Sequence, residues 1–186
     1  MTANDVAAAA TLHLIGYPSD HLSQRLGPTL AQDLYRRMLA AHPFCYVACR
    51  GPEVVGTLVA GEHVASSARA VAVAHPIRLA AVCARNAPLV AAGLLARLRA
   101  RNSARDAPPS AASVRLTSIV VHPAAQGAGV ALALITRLED DLRAASVPSY
   151  GLSVKASNVK AIRFYETIGM EREAQTKTGF RYVKQL

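Results

Sequence analysis

The sixteen residues LTSIVVHPAAQGAGVA, Leu116 to Ala131, decide how the chain is read. An apolar run rich in β-branched residues, Leu116 to Val121, meets Pro123. Gln126-Gly127-Ala128-Gly129-Val130-Ala131 then opens a helix-forming stretch. The spacing predicts a strand, a glycine turn and a helix N-terminus. A helix start leaves backbone N–H groups unpaired at the positive end of the helix dipole, which suits an anion. Glycines at 127 and 129 carry no Cβ, so a phosphate can approach the main chain closely. Rival glycine motifs fit less well. A dinucleotide fingerprint needs a glycine where Leu132 stands, and a phosphate-binding P-loop needs a lysine, whereas every lysine lies at or after Lys155. An ordinary strand-to-helix turn in an alanine-rich chain is the plain alternative.

A second block, LSVKASNVKAIRFYETIGM from Leu152 to Met170, runs from a strand through Asn158 into a helix that Gly169 ends. Together the two blocks resemble the GCN5-related N-acetyltransferases, the GNAT superfamily. Its acyl-CoA signature runs V-x-P-x-x-Q/R-G-x-G-x-G/A, and Val121, Pro123, Gln126, Gly127, Gly129 and Ala131 fall on it. Its second motif is matched by Asn158, Ala161, Phe164-Tyr165-Glu166 and Gly169-Met170, with Met170 where relatives carry Phe. The specific likeness covers Leu116 to Met170; elsewhere only the order of elements agrees.

The resemblance implies an α/β (α+β) fold with a mixed, mostly antiparallel central sheet flanked by helices, in a single domain over residues 1–186. It implies acetyl-CoA as acyl donor and direct attack by a primary amine in a ternary complex. The main chain at Ile119, Val120 and Val121 would pair with pantetheine and face the thioester oxygen. Gln126, Gly127, Ala128, Gly129, Val130 and Ala131 would hold the pyrophosphate, and Asn158, Ala161 and Phe164 would border the coenzyme. Tyr165 would be the catalytic acid. A thiol with pKa near 8.5 leaves as thiolate, and a tyrosine with intrinsic pKa near 10 stays protonated to meet it. Alternatives in a plain fold are a buried aromatic for Tyr165 and a simple helix cap for Asn158.

The general base is less legible. Many relatives place Glu where Arg115 stands, and Leu116 to Val121 holds no acid. An amine with pKa near 10 is only ~0.1% unprotonated at neutral pH, so a proton acceptor is required. Glu62, His63 and a water held by Thr117 or Ser118 are the candidates. Two further readings stay open: an acyl-CoA-binding relative with lost or altered catalysis, suggested by Arg115, and a basic module that binds nucleic acid or the ribosome.

Composition bounds these readings. At 186 residues and 52% apolar, the chain suits one domain with a real core. The net charge is +9, and His63 to Arg105 contains seven Arg with no Asp or Glu. Such a field attracts polyanions, including coenzyme phosphates, but few aromatics interleave it, which weakens a nucleic-acid stacking platform. A solvated helix face is the bland account. No secretory signal or membrane-length apolar run is legible, so neither membrane nor export is expected. Cys45 and Cys49 would share one strand face roughly 13 Å apart, too far for a disulfide. Together with Cys83 they make an odd set, which suits a reduced cytoplasmic protein. No spacing of His, Cys and Asp suggests a metal.

Along the chain, Thr11 to Ile15 alternates weakly and predicts a first strand. A short helix capped by Ser19 or Asp20 follows through Arg25, and Gly27-Pro28 ends it. Thr29 to Ala41 reads as a helix, and Phe44 to Cys49 with Val54 to Gly61 as a hairpin. Residues 62–112 form a helical insertion before the fourth strand, broken at Pro76, Pro88 and Gly93. It has an apolar face over Leu89 to Leu98 and a connector over Asn102 to Ser113, and is expected to border the acceptor cleft or a homodimer contact. Gly129 to Ser146 is a helix with Leu134, Ile135, Leu138 and Leu142 inward and Glu139, Asp140 and Arg143 outward. Arg172 to Gln175 and Phe180 to Val183 close the chain as a hairpin.

Overall fold

Val6, Ala9, Ala10 and His13 recur at i, i+3, i+4 and i+7, and they form the buried stripe of helix α1 (Val6–Gly16). The computed structural model, which describes residues 1–17, 21–62, 66–101, 110, 112–176 and 179–186, therefore replaces the strand expected at Thr11 to Ile15 with helix. The alternation of T-L-H-L-I is local, whereas the preceding alanines carry the helical period across it. A short 3₁₀ turn, Leu22–Arg25, follows, and the side chain of His21 caps it by accepting from the Ser23 N–H. The caps expected from Ser19 and Asp20 lie outside the described residues. Helix α2 (Gly27–Ala41) begins at Gly27-Pro28 rather than after it. Proline is at home in a first helical turn, where its missing N–H costs nothing.

Six strands follow: β1 (Phe44–Arg50), β2 (Glu53–Gly61), β3 (Val114–Val121), β4 (Ser149–Lys155), β5 (Glu171–Thr176) and β6 (Gly179–Gln185). They lie in the order β1-β2-β3-β4-β6-β5, with every neighbouring pair antiparallel except β3 and β4. The strand after the insertion is thus the third, not the fourth. The β1–β2 register shifts between Ala48 and Cys49, where Val55 of β2 is the extra residue. Cys45 is buried, Cys49 near the end of β1 is exposed, and both are free thiols, as their separation along the strand requires.

Helices cover both faces of the sheet. On one side α6 (Val130–Ala144) and α7 (Val159–Thr167) enclose a core that includes Leu58, Leu116, Leu134, Ile135, Leu138, Leu142 and Tyr165. On the other side α1 and α2 enclose Val6, Leu30, Leu34, Tyr35, Met38 and Val59. Adjacent Leu58 and Val59 point into different cores because a strand turns alternate side chains to opposite faces. Glu139 departs from its expected outward position. It is buried and accepts from the Tyr150 hydroxyl at 2.8 Å and Lys184 Nζ at 2.7 Å. A carboxylate can remain there because both donors compensate its lost hydration.

The insertion forms α3 (Ser66–Ala74), α4 (Pro76–Arg85) and α5 (Ala87–Arg101). Pro76 and Pro88 sit in first turns, and Gly93 lies inside α5 without ending it. Val71 and Val82 pack against the core of α1 and α2. The expected apolar face of α5 is not buried: Leu94, Leu95 and Leu98 are 57%, 52% and 50% exposed. Most of the connector, residues 102–109 and 111, lies outside the described residues. Among the described residues no single helix is long and apolar enough to cross a membrane.

Candidate functional site

Strands β3 and β4 pair only at Val114 with Tyr150 and Arg115 with Gly151, and then diverge. The divergence coincides with a bulge on β3. Ala60 pairs with Leu116 and Val59 with Ser118, which leaves Thr117 as an extra residue. A bulge bends its strand and re-aims the side chains beyond it. Leu116 consequently joins the α6 core, while Ser118 turns toward α1, where the Tyr17 hydroxyl donates to its Oγ at 3.0 Å. Between the splayed strands opens a cleft of about 890 Å³.

One wall of this cleft is Leu116 to Val121, and the facing wall is Leu152 to Lys155, with Asn158, Lys160, Ala161, Phe164 and Tyr165 from the following helix. Gln126 and Ala131 line its mouth, and the turn 127–130 joins them. Gly127 and Gly129 hold φ of +80° and +77°, and Gly129 is the N-cap of α6 with no side-chain cap. A Cβ added to either would meet nothing within 4 Å, so conformation rather than crowding demands glycine here. The uncapped start leaves its first N–H groups available to an anion at the cleft mouth.

Asn158 caps α7, its Oδ1 accepting from the Ala161 N–H at 3.2 Å. That commits the oxygen to the helix and leaves the amide N–H₂ as the group it can offer a ligand. Tyr165 is 7% exposed and reaches the cleft from α7. Burial first, and then the nearby Tyr17, raises its hydroxyl well above the ordinary tyrosine range. Phe164, Ile119, Val120 and Val121 also line the cleft, so the two sequence blocks come together along one channel.

The expected bases fare differently. Glu62 is exposed in the bend after β2 and is not among the lining residues. His63 lies outside the described residues. Thr117 and Ser118 both line the cleft, but Ser118 Oγ is engaged by Tyr17. Arg115 is not among the lining residues: its Nη1 donates to Ser110 Oγ at 2.8 Å and its Nη2 to Oγ of the lining Ser153 at 3.1 Å. None of the described insertion residues is among those lining this cleft.

Three lining residues escape the motif reading: Gly16, Tyr17 and His21. Gly16 allows the end of α1 to approach β3, since a Cβ there would overlap Val120 Cγ1. Tyr17 stacks on His13 with ring centroids 4.0 Å apart and meets His21 edge-on at 5.2 Å. Ser23 Oγ lies 2.7 Å from His21 Nδ1 and 2.8 Å from His13 Nε2, and His13 Nδ1 lies 3.3 Å from the Tyr35 hydroxyl. Burial, with a smaller contribution from His21, lowers His13 to about 4. Burial likewise pushes Tyr17 up to about 12. The helical period of α1 was the available signal, with His13 in a core slot. Among the described residues no group of three His, Cys, Asp or Glu side chains could hold a metal.

A splayed parallel strand pair with a glycine turn and helix start at the cleft mouth is the frame of an acetyltransferase fold. The sequence matches the model of the acetyltransferase (GNAT) family over residues 12–170, and the chain belongs to that family. Its fold is similar to that of the PaiA N-acetyltransferase from Thermoplasma acidophilum, solved in complex with coenzyme A, at TM-score 0.63 and 10% identity over 100% of this chain and 96% of that one. An acetyltransferase from Thermus thermophilus superposes at TM-score 0.60 and 18% identity, over 100% and 94% of the two chains. The ribosomal-protein-S18-alanine N-acetyltransferase from Escherichia coli superposes at TM-score 0.53 and 14% identity, over 100% and 89%. No curated protein sequence matches this chain.

Proposed function

We propose that the protein transfers an acetyl group from acetyl-CoA directly to the primary amine of a small molecule or protein. The observation that carries this reading is the single channel uniting an uncapped helix start, an unpaired stretch of β3 and the buried hydroxyl of Tyr165. Backbone N–H groups over 127–131 would bind pyrophosphate, with neutral Gln126 lending a donor rather than a charge. Beyond Arg115, the edge of β3 no longer pairs with β4, so pantetheine can lie along it as an added strand. Val120 pairs with Thr57, two residues along from the His122 N–H that donates to Val55, so its N–H faces β2 rather than the cleft. The N–H of Ile119, on the open edge, would instead stabilise the thioester oxygen as it gains charge.

The amine nitrogen attacks the carbonyl carbon, the oxygen receives the carbonyl pair, and collapse expels sulfur. Tyr165 meets the departing sulfur as a hydrogen-bond donor. Its raised pKa alone would oppose proton transfer, but the burial that penalises tyrosinate penalises a thiolate in the same channel. No cysteine lines the cleft, and Cys45 is raised to about 11 by burial, which favours direct transfer over an acyl-cysteine intermediate.

Thiol release from acetyl-CoA over a panel of amino sugar, aminoglycoside, polyamine, amino acid and peptide amines tests this reading. Double-reciprocal lines for the best acceptor should intersect, as a ternary complex requires. Parallel lines, or no thiol release with any amine, would overturn it.

A further inference from the structure

We propose that the insertion α3–α5 docks on an anionic lipid surface, its exposed aliphatic side chains entering the boundary between headgroups and acyl chains and its arginines meeting lipid phosphates. None of the described insertion residues lines the cleft, so docking and acyl transfer use different surfaces, whichever amine is acylated.

Aliphatic surface that the core leaves uncovered concentrates here. Of the eight large hydrophobic residues exposed among the described ones, five lie in the insertion, and Val73 and Ile77 are 82% and 84% exposed. On α5 they form a stripe. Ala87, Ala91, Leu94, Leu95 and Leu98 recur at i, i+4, i+7, i+8 and i+11, and all are exposed. On α4, Ile77, Ala80 and Ala84 share an exposed face, while Val82 reaches the core. A helix of fifteen residues is marginal alone in water, and a stripe facing solvent does nothing to hold it. A contiguous apolar patch of this kind marks a surface that something covers.

Charge decides what the cover is. His63 to Arg105 carries seven Arg and no Asp or Glu. On the body of the domain Arg37, Arg137, Arg143, Arg172 and Arg181 each pair with a carboxylate. Among the described residues, Arg69, Arg78 and Arg85 of the insertion are exposed and make no ion pair. Arg78 and Arg85 line one hollow of about 260 Å³. A cover that suits this face carries negative charge and offers apolar depth. A second copy would set arginine against arginine, because a two-fold contact joins the same patch to itself. Nucleic acid would take the arginines and leave the leucines in water. Tight protein contacts centre on aromatic anchors seated in pockets, and residues 63–105 include no aromatic side chain. Fluid acyl chains ask only for aliphatic area, and anionic headgroups lie at its edge.

The helix geometry suits a surface rather than a span. α4 and α5 turn by 92° where they join at Asn86, and two axes that meet share a plane, so both can lie flat in one interface. At 1.5 Å per residue α5 is ~22 Å long, short of the ~30 Å hydrocarbon core, so it rests in the boundary instead of crossing it. Arginine stems cover apolar surface while their charged heads reach the phosphates.

Flotation of the full chain with phosphatidylcholine vesicles, with and without about one-third phosphatidylglycerol, tests this docking. The wild type should float with the anionic vesicles, stay behind with the neutral ones, and be released as salt rises. Leu94→Ser combined with Leu98→Ser should weaken vesicle binding at least ~10-fold with an unchanged urea midpoint. Arg78→Gln combined with Arg85→Gln, which leaves the leucine stripe in place, should weaken it by a similar factor. A wild type that does not float, or flotation that either pair of substitutions leaves unchanged, overturns the lipid assignment. A dimer in sedimentation equilibrium that the leucine pair dissolves would overturn it too, by making a second copy the cover. So would duplex RNA bound more tightly than the vesicles and equally well by the leucine variant.

Discussion

The coenzyme side of the cleft offers main chain, whereas the α1 side offers side chains. Along β3 and the 126–131 turn, the groups available to a ligand are N–H and C=O, and the side chains are mostly small or apolar. At the other end Tyr17, His21 and Ser118 present hydroxyls and an imidazole, backed by buried His13 and Tyr35. Main-chain recognition depends on local conformation, which a few glycines and a proline specify. Side-chain recognition here depends on three segments, near residues 13–23, 35 and 118, meeting in space.

The largest effect expected is on the main-chain side. Gly129→Glu forces a side chain onto a residue at φ +77° and sets a negative charge at the helix start, so coenzyme A affinity should fall beyond ~1,000-fold, about 4 kcal/mol. Calorimetry on a folded variant that still binds normally would show that the turn does not hold the pyrophosphate.

The α1 side should show itself in stability. His13 is depressed to about 4 when folded and titrates near 6.5 when unfolded, so the unfolded chain binds the extra proton between these values. The stabilisation is present above pH ~6.5 and is lost as pH falls toward 4, by roughly 3 kcal/mol. Urea midpoints of wild type and His13→Gln between pH 7 and 4 should converge on acidification. Parallel curves would mean that His13 is not held neutral in the core.

Where the two sides meet, Tyr165→Phe keeps the ring and removes the hydroxyl. Turnover should drop at least ~30-fold, about 2 kcal/mol, with coenzyme A affinity nearly unchanged. Full turnover, with chemistry as the slow step, would make Tyr165 a packing residue and leave water as the proton donor.

The smallest effect belongs outside both walls. Leu94→Ser on α5 replaces a leucine that is 57% exposed, so stability and kcat/KM should stay within ~0.5 kcal/mol of wild type. A larger loss would show that the α5 surface is covered in solution and bears on the cleft.

The periodicity of residues 130–144 and 149–170 placed α6, β4 and α7 nearly at their observed limits because local rules decide them. Glycines at positive φ, an Asn cap and a leucine stripe state their structure within a few residues. Thr11 to Ile15 shows the opposite case. Its short alternation competed with a helical stripe that depends on treating His13 as a core residue, and only contact with Tyr35 and Ser23 makes a buried histidine tolerable. Pro76 and Pro88 similarly read as breaks, although each begins a helix.

The sequence by itself determined the family resemblance, the glycine turn and the position of Tyr165, since each rests on a contiguous motif whose backbone demands are local. Tertiary structure alone decided that a bulge at Thr117 opens the sheet and turns Ser118 toward Tyr17. It also buried Glu139 against Tyr150 and Lys184, brought His21 to the cleft wall and left Glu62 exposed outside it. The physical reason is range. A backbone turn is specified by its own residues, whereas a polar cluster exists only where distant segments supply the partners that compensate its burial.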